Sequence, residues 1–274
     1  MKTKTLLLLS FLAFFGASCN SLSSEKYKDD DFTHIFNGEN LDGWYLKIRS
    51  GDEELAKKIF AVEESMIHIF NDEFPNPYNL GQTDTHGLMY TNKSYSKFIL
   101  RFEYKWGETI ANNYDRFQYD AGCYYHVTND KIWPTGVEYQ VRYDDINDIN
   151  YTGDFYIDKK ARDFFRYTNG EGYYLSKANG GVATPRPKDD AYQQKATKGV
   201  KANGLNGEWN ECEIIVMEDK YAIHKLNGEV VNVAENILQT GGVIGFQSET
   251  GEIYYRNIRI LEFDEVVPME EFIK

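Results

Sequence analysis

Polar side chains recur at every second position of the stretch TGVEYQVRYDD, which spans residues 135–145. The residues between them are apolar, so the stretch predicts a β-strand with one core face and one polar face. Glu138, Gln140 and Arg142 lie on the polar face. A carboxylate can act as a general base, and an amide or a guanidinium can bind a hydroxyl or an oxyanion. This strand therefore presents either ordinary solvated surface or the floor of a site.

A second predicted strand, DAGCYYHV at residues 120–127, places Asp120, Tyr124 and His126 on one side. Its connection to the first strand, TNDKIWPTG, is short and contains Asn, Asp, Pro and Gly, so we expect the two strands to pair as antiparallel neighbours. If both strands bury their apolar sides, a carboxyl, a phenol and an imidazole lie beside Glu138. Such donors and acceptors are suited to sugar hydroxyls.

Two further stretches complete the predicted site. In VIGFQSE, residues 243–249, Gln247 and Glu249 point away from the apolar side. The aromatic-rich residues 144–207 form a segment with weak periodicity, which is typical of an ordered binding loop or lid. We expect this segment to fold over the Glu138 side of the site with rings pointing inward. The alternative is an excursion packed on the rim of the domain.

The N-terminus predicts export and lipidation. In residues 1–18, two lysines precede an apolar run that is too short to span a membrane, as in a signal peptide. Small residues lead directly to Cys19, the arrangement of a lipobox, in which the cysteine is acylated. Plain secretion is the alternative. We expect the polar residues 19–31 to tether the domain in the cell envelope, at the periplasmic face or the outer-membrane surface.

The rest of the chain predicts one all-β domain at residues 32–263 and a C-terminal tail at residues 264–274. About eleven short strand-like runs, separated by turn signals, indicate a jelly-roll β-sandwich of two antiparallel sheets with few short helices. Cys123 and Cys212 both lie in strand-like runs. Export permits a disulfide between them, but buried free cysteines are equally compatible with these positions.

The charge of the mature chain restricts its partners. Without residues 1–18, the chain has 28 basic and 43 acidic side chains, which is a net charge of about −15. Such a charge argues against nucleic acid and anionic lipid as partners and suits a neutral or a cationic one.

An ordered series of motifs resembles one known family. The matching stretches are FTHIFNGENLDGWY, GLMYTNKSYSKFILRFEYKW, GVEYQVRYDD, TGDFY, GEWNECEI and IGFQSETGEIYYRNIRI. From Phe32 to about Leu261 the chain therefore resembles the 3-keto-disaccharide hydrolase family, whose fold is a concanavalin A-like jelly roll. Two departures bear on substrate choice: Asp120 stands where the family has Asn, and the region at about 159–207 is longer than the family pattern requires.

The resemblance implies an enzyme that cleaves 3-keto-glycosides. A ketone at C3 acidifies the hydrogen on C2, so a base can remove it, the bond at C1 then breaks by elimination, and water can add afterwards. We expect Glu138 or His126 to be the base and Tyr124 to be the acid. The expected substrate contacts are Asp120, Gln140, Arg142, Asn210, Gln247, Glu249 and Arg256. Asn210 and Arg256 are included because they match family motifs.

The sequence leaves the need for a cofactor open. A divalent cation such as calcium, held by Asp120, Glu138 and Glu249, would polarise the ketone, since hard cations prefer oxygen ligands. No nicotinamide fingerprint is visible, so oxidation at C3 would belong to a separate sugar 3-dehydrogenase acting upstream. A noncatalytic carbohydrate-binding lipoprotein and a two-carboxylate glycosidase are the alternative functions, because this fold is compatible with all three.

Overall fold

A computed structural model describes residues 26–74, 84–112, 119–157, 165–185, 193–237 and 239–273. The predicted signal peptide and Cys19 lie outside the described residues. The chain divides into two compact units, residues 1–31 and residues 32–274. In the first unit, Asp29–Asp31 form a short 3₁₀ helix. Across the described ranges, the structure contains no helix that is long and apolar enough to cross a membrane.

The second unit is built almost entirely from strands. In chain order its elements are β1 (Thr33–His34), β2 (Trp44–Ile48), α1 (Glu53–Ile59), β3 (Phe60–Glu63), β4 (Met66–Ile69), β5 (Gly87–Thr91), β6 (Lys97–Ile110), β7 (Tyr119–Val127), β8 (Val137–Asp144), β9 (Ile149–Asn150), β10 (Phe155–Ile157), β11 (Phe165–Thr168), β12 (Val182–Pro185), β13 (Gln193–Gln194), β14 (Asn210–Met217), β15 (Tyr221–Leu226), β16 (Glu229–Glu235), β17 (Val243–Ser248) and β18 (Gly251–Glu262). Two 3₁₀ helices, Lys177–Asn179 and Met269–Glu271, also occur.

The strands form two antiparallel sheets, which confirms the predicted all-β jelly-roll sandwich. Sheet A has the strand order β12-β11-β16-β15-β14-β6-β18-β4-β3, and β1 pairs with β18. Sheet B has the order β13-β10-β8-β7-β17-β5-β2, and β9 pairs with β8. The two predicted site strands, β7 and β8, are antiparallel neighbours as expected from their short connection.

The core lies between the sheets and is rich in aromatic rings. Alternation along β6 and β17 turns Phe102 and Phe246 into this core, where their ring centroids are 5.1 Å apart at nearly perpendicular planes. Tyr255 of β18 packs on both rings, at 4.9 Å from Phe246 and 6.0 Å from Phe102. Edge-to-face contacts of this kind add to the stabilisation from burial. The apolar side chains of these strands thus face the core, and the alternating polar side chains face outward.

Cys123 of β7 and Cys212 of β14 are free thiols, and both are fully buried in the core between the sheets. Burial raises the pKa of each thiol, because the thiolate would lose its hydration. They are not joined by a disulfide bond and pack as small apolar core residues.

The segment at residues 144–207 extends both sheets. Its strands β10 and β13 continue sheet B beyond β8, while β11 and β12 continue sheet A beyond β16. Buried Arg166 of β11 donates to the Asn232 side chain and to the Lys195 carbonyl oxygen, which ties the extension of sheet A to the chain around β13. The described part of the segment is therefore largely framework. Phe164 and Tyr192, two of its aromatic residues, lie outside the described residues.

Candidate functional site

The outer face of sheet B brings the predicted polar residues of β7 and β8 together. Tyr124 is paired with Glu138 across the two strands, and Asp120 is paired with Arg142. Gln140 lies opposite Gly122, between these two pairs. This arrangement follows from the period of two along each strand and from the register that the short connection sets. We call the outer surface of β7, β8 and β17 the polar face.

The polar face is covered, which distinguishes it from ordinary solvated sheet surface. Exposed fractions are only 5% for Glu138, 3% for Gln140 and 4% for Arg142. These residues enclose a cavity of about 500 Å³. Its lining comprises Asp120, Tyr124, Trp133, Pro134, Gly136, Glu138, Gln140, Arg142, Tyr156, Ile157 and Glu249. Buried ionisable groups around a cavity of this size are the features expected of a small-molecule site.

Glu138 lies over Gly122, and this contact requires a glycine. A Cβ atom added at residue 122 would lie 2.2 Å from Oε1 of Glu138, so any larger residue would displace the carboxylate. Burial raises the pKa of Glu138 to about 8, and the hydrogen bond from Tyr124 opposes that rise by favouring the charged form. The Asp120 carboxylate raises this pKa further, and Arg142 lowers it. Glu138 is thus a carboxyl group that binds a proton near neutral pH.

Asp120 forms a second acidic group on the polar face. Its Oδ1 accepts a hydrogen bond of 2.6 Å from Nε2 of Gln140, and its Oδ2 lies 3.8 Å from Nη1 of Arg142. Burial raises the pKa of Asp120 to about 7, against the opposing effects of Arg142 and Gln140. Because Gln140 also donates to the Ala121 carbonyl oxygen, both of its amide protons are used. Gln140 therefore offers its carbonyl oxygen to a ligand and acts as an acceptor.

Arg142 is held in place by two tyrosines that follow β8. Nη1 donates to the Tyr156 hydroxyl at 3.1 Å, and the guanidinium carbon lies 4.5 Å from the centre of the Tyr151 ring. Tyr156 is the β10 residue paired with Glu138, so it closes the cavity on the β10 side. A fixed guanidinium in a covered site is suited to stabilise developing negative charge on an oxygen.

Gln247 and Glu249 complete the polar face from the β17 side. Glu249 lines the cavity and remains partly exposed, and burial together with the Asp120 and Glu138 carboxylates raises its pKa well above the usual range. Gln247 is only 2% exposed. Its Oε1 atom finds no hydrogen-bond partner within the described parts of the chain. Gln247 is not among the residues that line the cavity, so of the two predicted substrate contacts on this side the structure brings only Glu249 to the cavity.

The acidic side chains do not form a metal centre. In the portion of the chain that the structure describes, no group of three or more His, Cys, Asp or Glu residues is placed to hold a metal ion. This finding runs against the predicted ligand set of Asp120, Glu138 and Glu249. The physical reason is the engagement of Asp120 by Gln140 and Arg142, which draws its oxygens toward β8.

His126 does not lie on the polar face, and its predicted assignment to that face is wrong. Between β7 and β17 the register passes from Tyr124 opposite Gly245 to Val127 opposite Val243, so β7 contains one extra residue there. His126 takes a φ of 50° at this bulge, and its side chain turns toward the core. It is fully buried, 5.9 Å from the Phe98 ring.

The His126 ring is held by the backbone. Its nitrogens lie 2.8 Å from the carbonyl oxygen of Gln239 and 3.0 Å from that of Ser96, and burial lowers its pKa. These contacts place it outside the lining of the cavity, so the structure brings Glu138 and not His126 to the site as a candidate base.

His126→Ala is expected to act on stability. Loss of a fully buried ring and its two carbonyl contacts should lower the free energy of unfolding by about 2–4 kcal/mol. Turnover per folded molecule should stay within about threefold of the wild type, because the ring does not reach the cavity. Thermal unfolding and assays well below the melting temperature would test this. A stably folded variant with abolished turnover would contradict the structural role.

Asn210 and Arg256 are on sheet A, away from the polar face. Fully buried Asn210 accepts a hydrogen bond from the Asn203 backbone N–H at 2.7 Å and donates to the Asn203 carbonyl oxygen, so it fastens the chain before β14. Arg256 donates to Glu103 at 2.6 Å and stacks on the Trp209 ring at 3.8 Å. The structure does not bring them to the cavity, and the prediction of substrate contacts there is wrong.

Five residues of the cavity lining were not among the predicted site residues: Trp133, Pro134, Gly136, Tyr156 and Ile157. Two of them, Trp133 and Tyr156, are aromatic. Trp133 lies in the connection between β7 and β8. The sequence of this connection predicts only a turn, because of its Asn, Asp, Pro and Gly residues. Tyr156 belongs to the long segment after β8, which was expected to contribute rings to the mouth of the site. Among its described residues, the segment does so through Tyr156, near its start, whereas Tyr173 lies under Lys195 and Lys198, outside the cavity lining.

Comparison with known proteins connects this geometry to a family. The family model described as the 3-keto-alpha-glucoside-1,2-lyase-like domain matches residues 31–261, which confirms the resemblance found in the sequence motifs. Among curated proteins, no significant match is found.

Two solved structures are similar to this chain. A provisionally named glycosyl hydrolase from Parabacteroides distasonis is 21% identical to this chain, with a TM-score of 0.51, and the match covers 87% of this chain and 98% of that one. A second such protein from the same organism is 18% identical with a TM-score of 0.49, covering 85% of this chain and 99% of its own. At these identities the likeness extends to architecture alone.

Proposed function

We propose, from the premise that this chain belongs to the 3-keto-alpha-glucoside-1,2-lyase-like domain family, that it cleaves 3-keto-glycosides at the polar face of sheet B. Membership in the family makes it a carbohydrate-active protein. The proposed reaction consists of removal of the C2 proton, elimination at C1, and addition of water. A single observation carries it, namely the carboxyl group of Glu138 buried at the floor of a cavity of about 500 Å³.

Glu138 is the proposed base. Its raised pKa makes the ionised form a strong proton acceptor, which suits a C–H acid such as the C2 position beside a ketone. As the C2 proton moves to Glu138, electron density develops on the C3 oxygen. Arg142, held by Tyr151 and Tyr156, is the proposed donor that stabilises this enolate.

Tyr124 is the proposed acid for the leaving group. When the enolate collapses, the C1–O bond breaks, a C1–C2 double bond forms, and the departing oxygen takes the Tyr124 hydroxyl proton. Tyr124 and Glu138 share a hydrogen bond, so the proton taken from C2 can pass to Tyr124 and restore both groups. Water added across the double bond returns a proton to C2 and gives the free 3-keto sugar. The net reaction is hydrolysis when water adds and elimination when it does not.

The remaining polar atoms are proposed to orient the sugar. The carbonyl oxygen of Gln140 can accept a hydrogen bond from a sugar hydroxyl. The pKa of Asp120 is raised to about 7, so near neutral pH its carboxyl group can donate a hydrogen bond to a sugar hydroxyl or accept one from it. The pKa of Glu249 is also raised, which favours the protonated carboxyl group that can donate a hydrogen bond. Nothing in this set performs an oxidation, and a separate sugar 3-dehydrogenase is therefore proposed to form the ketone upstream.

The deciding experiment compares a 3-keto-glucoside with its unoxidised parent. Release of the leaving group from the keto form alone would support the proposal. Loss of that release in Glu138→Gln would show that the reaction takes place at Glu138. Release from the parent would instead indicate a two-carboxylate glycosidase. Binding of both without release would indicate a noncatalytic carbohydrate-binding protein.

A second readout isolates the first chemical step. In D₂O, the proposed proton removal at C2 exchanges that hydrogen for deuterium even in substrate that has not been cleaved. Wild-type protein should label C2, and Glu138→Gln should not. Cleavage with no exchange under conditions where cleavage is slow would speak against enolate formation.

Turnover is expected to rise with pH up to about pH 8. Only ionised Glu138 can accept the C2 proton, and its pKa is raised to about 8, so kcat/KM should increase about tenfold per pH unit below that value. Because Asp120 and Glu249 interact with Glu138, the observed value belongs to the group of carboxyls. Initial rates between about pH 5 and pH 9, corrected for the reaction without protein, would provide the profile. A profile that is flat or falls over this range would contradict Glu138 as base.

Cys19 is proposed to carry a lipid that anchors the domain in the cell envelope. Cys19→Ser should remove the only acylation site of the lipobox, so the variant should move from the membrane fraction to the soluble fraction. Fractionation with detection of the domain would measure this, and Cys212→Ser, in a core strand, is the matched control. A Cys19→Ser protein that still sediments with membranes would rule out this anchor.

A further inference from the structure

Trp133 is an unusual residue on the surface of this protein. Its side chain is 49% exposed and lines the mouth of the cavity on the polar face. By contrast, Trp44 and Trp106 are buried, and Trp209 is covered by Arg256. Among the described residues, Trp133 is thus the only tryptophan whose side chain is about half exposed, and it borders the proposed site.

The position of Trp133 is built by its surroundings. The carbonyl oxygen of Lys131 accepts a 2.7 Å hydrogen bond from the Tyr90 hydroxyl, and the Asn129 side chain donates to the Thr135 hydroxyl at 2.9 Å. The Trp133 ring itself stands edge-on to buried His86, with 5.7 Å between ring centres and 90° between planes. An exposed ring that packs on a buried neighbour and is carried by a hydrogen-bonded connection has lost part of its freedom before any ligand arrives, which favours binding.

The connection that carries Trp133 runs over the polar face along β5. It is attached at Tyr90, within β5, and again near His86, the residue before β5. Between these two points lie Leu88 and its partner Gln247, which are 0% and 2% exposed although they belong to the outer surface of the sheet. The connection is therefore a cover, and Trp133 forms the cavity wall on the β5 side.

Tyr156 forms the opposite wall. In sheet B, β8 and β10 are neighbours, whereas β5 is separated from β8 by β17 and β7. Three strand intervals of about 4.8 Å put β5 about 14 Å from β8. A sugar whose C2 lies on Glu138 is bounded by Tyr156 on the β10 side. A group attached at C1 that extends away from Tyr156, toward β17 and β5, reaches Trp133.

We propose that Trp133 is a platform on which a cyclic leaving group packs, and that it is therefore the residue that sets affinity for the leaving group. This inference rests on the proposed function and names a specificity-determining residue of the same site. The apolar face of a pyranose or an aryl ring packs on an indole face, while its edge stays available for hydrogen bonds. An acyclic leaving group such as methoxide is too small to reach Trp133.

The proposal predicts that Trp133 variants change KM and leave kcat unchanged. Trp133 touches no reacting atom, so its contact with the leaving group is the same before and during bond cleavage. A contact of that kind lowers KM without changing kcat. Trp133→Ala should therefore raise KM for a 3-keto-disaccharide about tenfold and leave its kcat unchanged. Both constants for methyl 3-keto-glucoside should stay the same, and Trp133→Phe should recover most of the affinity.

The experiment measures kcat and KM for both substrates with wild type, Trp133→Ala, Trp133→Phe and the control Trp209→Phe on sheet A. The expected result is a KM effect confined to the disaccharide and to the Trp133 variants. Equal changes for both substrates, or a loss in kcat with unchanged KM, would overturn the platform role. Trp133→Phe guards against a folding defect in Trp133→Ala, because it retains a ring against His86.

Failure of the proposed function would be recognised separately. If wild-type protein cleaved neither keto substrate, the proposed reaction would fall, and the platform would be judged by intrinsic fluorescence on titration with an unoxidised glucose disaccharide. A signal change in the wild type and Trp209→Phe that is lost in Trp133→Phe would support the platform. An unchanged signal in all three proteins, or a change that persists in Trp133→Phe, would overturn it.

Discussion

Glu138→Gln is expected to lose about 10²–10⁴-fold in turnover of a 3-keto-glucoside while the protein remains folded. Glutamine keeps the shape of the side chain over Gly122 but cannot accept a proton from C2. Tyr124 can still donate a hydrogen bond to the amide oxygen, so the floor of the cavity should keep its geometry. The loss should therefore appear in kcat, with a much smaller change in KM.

The matched control for this variant is Glu103→Gln. Glu103 is a carboxylate on sheet A that accepts hydrogen bonds from Arg256 and Asn257, away from the cavity. Its replacement makes the same chemical change outside the site, and turnover should stay at the wild-type level. Steady-state kinetics on both purified variants, with circular dichroism to verify folding, would make the comparison. Wild-type turnover in folded Glu138→Gln would exclude Glu138 as the base.

The same Glu138→Gln variant is expected to be more stable than the wild type at alkaline pH. The pKa of Glu138 is raised from about 4.5 in the unfolded chain to about 8 in the folded protein, mainly by burial. Between these values the folded state retains a proton that the unfolded state has released. Stability from this group is therefore complete below pH 4.5 and is lost as pH rises toward 8.

The magnitude of this loss is considerable. Each pKa unit corresponds to about 1.4 kcal/mol, so the shift costs the wild type on the order of 4 kcal/mol by pH 8. Glutamine does not titrate, so the variant avoids this loss. The two proteins should have similar melting temperatures near pH 5 and should diverge by roughly 8–16 °C at pH 8.

Thermal unfolding of wild type, Glu138→Gln and Glu103→Gln across this range would test the prediction. Curves of melting temperature against pH that run parallel for wild type and Glu138→Gln would show that the folded protein does not raise the pKa of Glu138. Divergence in both variants would show that the effect is not specific to the site. A gain in stability together with a loss of turnover is the pattern expected when a residue is retained for function.

The cost of burying Glu138 has a structural origin in the cover over the polar face. Sheet faces that point away from a core normally contact water, and a carboxylate there would keep an ordinary pKa. Here the connection at residues 128–136, together with Tyr151 and Tyr156, covers the face, so Glu138, Asp120 and Glu249 share a poorly hydrated space. Three carboxyl groups beside one guanidinium cannot all be ionised cheaply, which explains why their pKa values rise together.

The sequence by itself determined the fold class and most of the floor of the site. Alternation of apolar and polar residues is a local property with a period of two, and it assigns Glu138, Gln140 and Arg142 to one face without any knowledge of the rest of the chain. The short connection between β7 and β8 then requires that Asp120 and Tyr124 lie beside them. Local pattern and local connection are enough wherever strands are regular and adjacent in sequence.

Tertiary structure decided the positions that depend on irregularity or on distant parts of the chain. His126 follows the period of two in the sequence but lies at a bulge, and one extra residue is enough to reverse the direction of its side chain. Asn210 lies on a strand as regular as β8, and Arg256 lies next to a bulge of β18, but both strands belong to the other sheet. Alternation identifies a face of a strand, and it does not say which sheet receives that strand.

Burial of the polar face was also decided only by the tertiary structure. Whether Glu138 meets water depends on where the Trp133 connection and Tyr156 lie, and their placement depends on contacts with Tyr90, His86 and β8. If the same polar residues were exposed to solvent, their pKa values would be ordinary and they would not line a cavity. The proposed chemistry therefore comes from side chains that the sequence identifies and from a low-dielectric environment that only packing across the chain can provide.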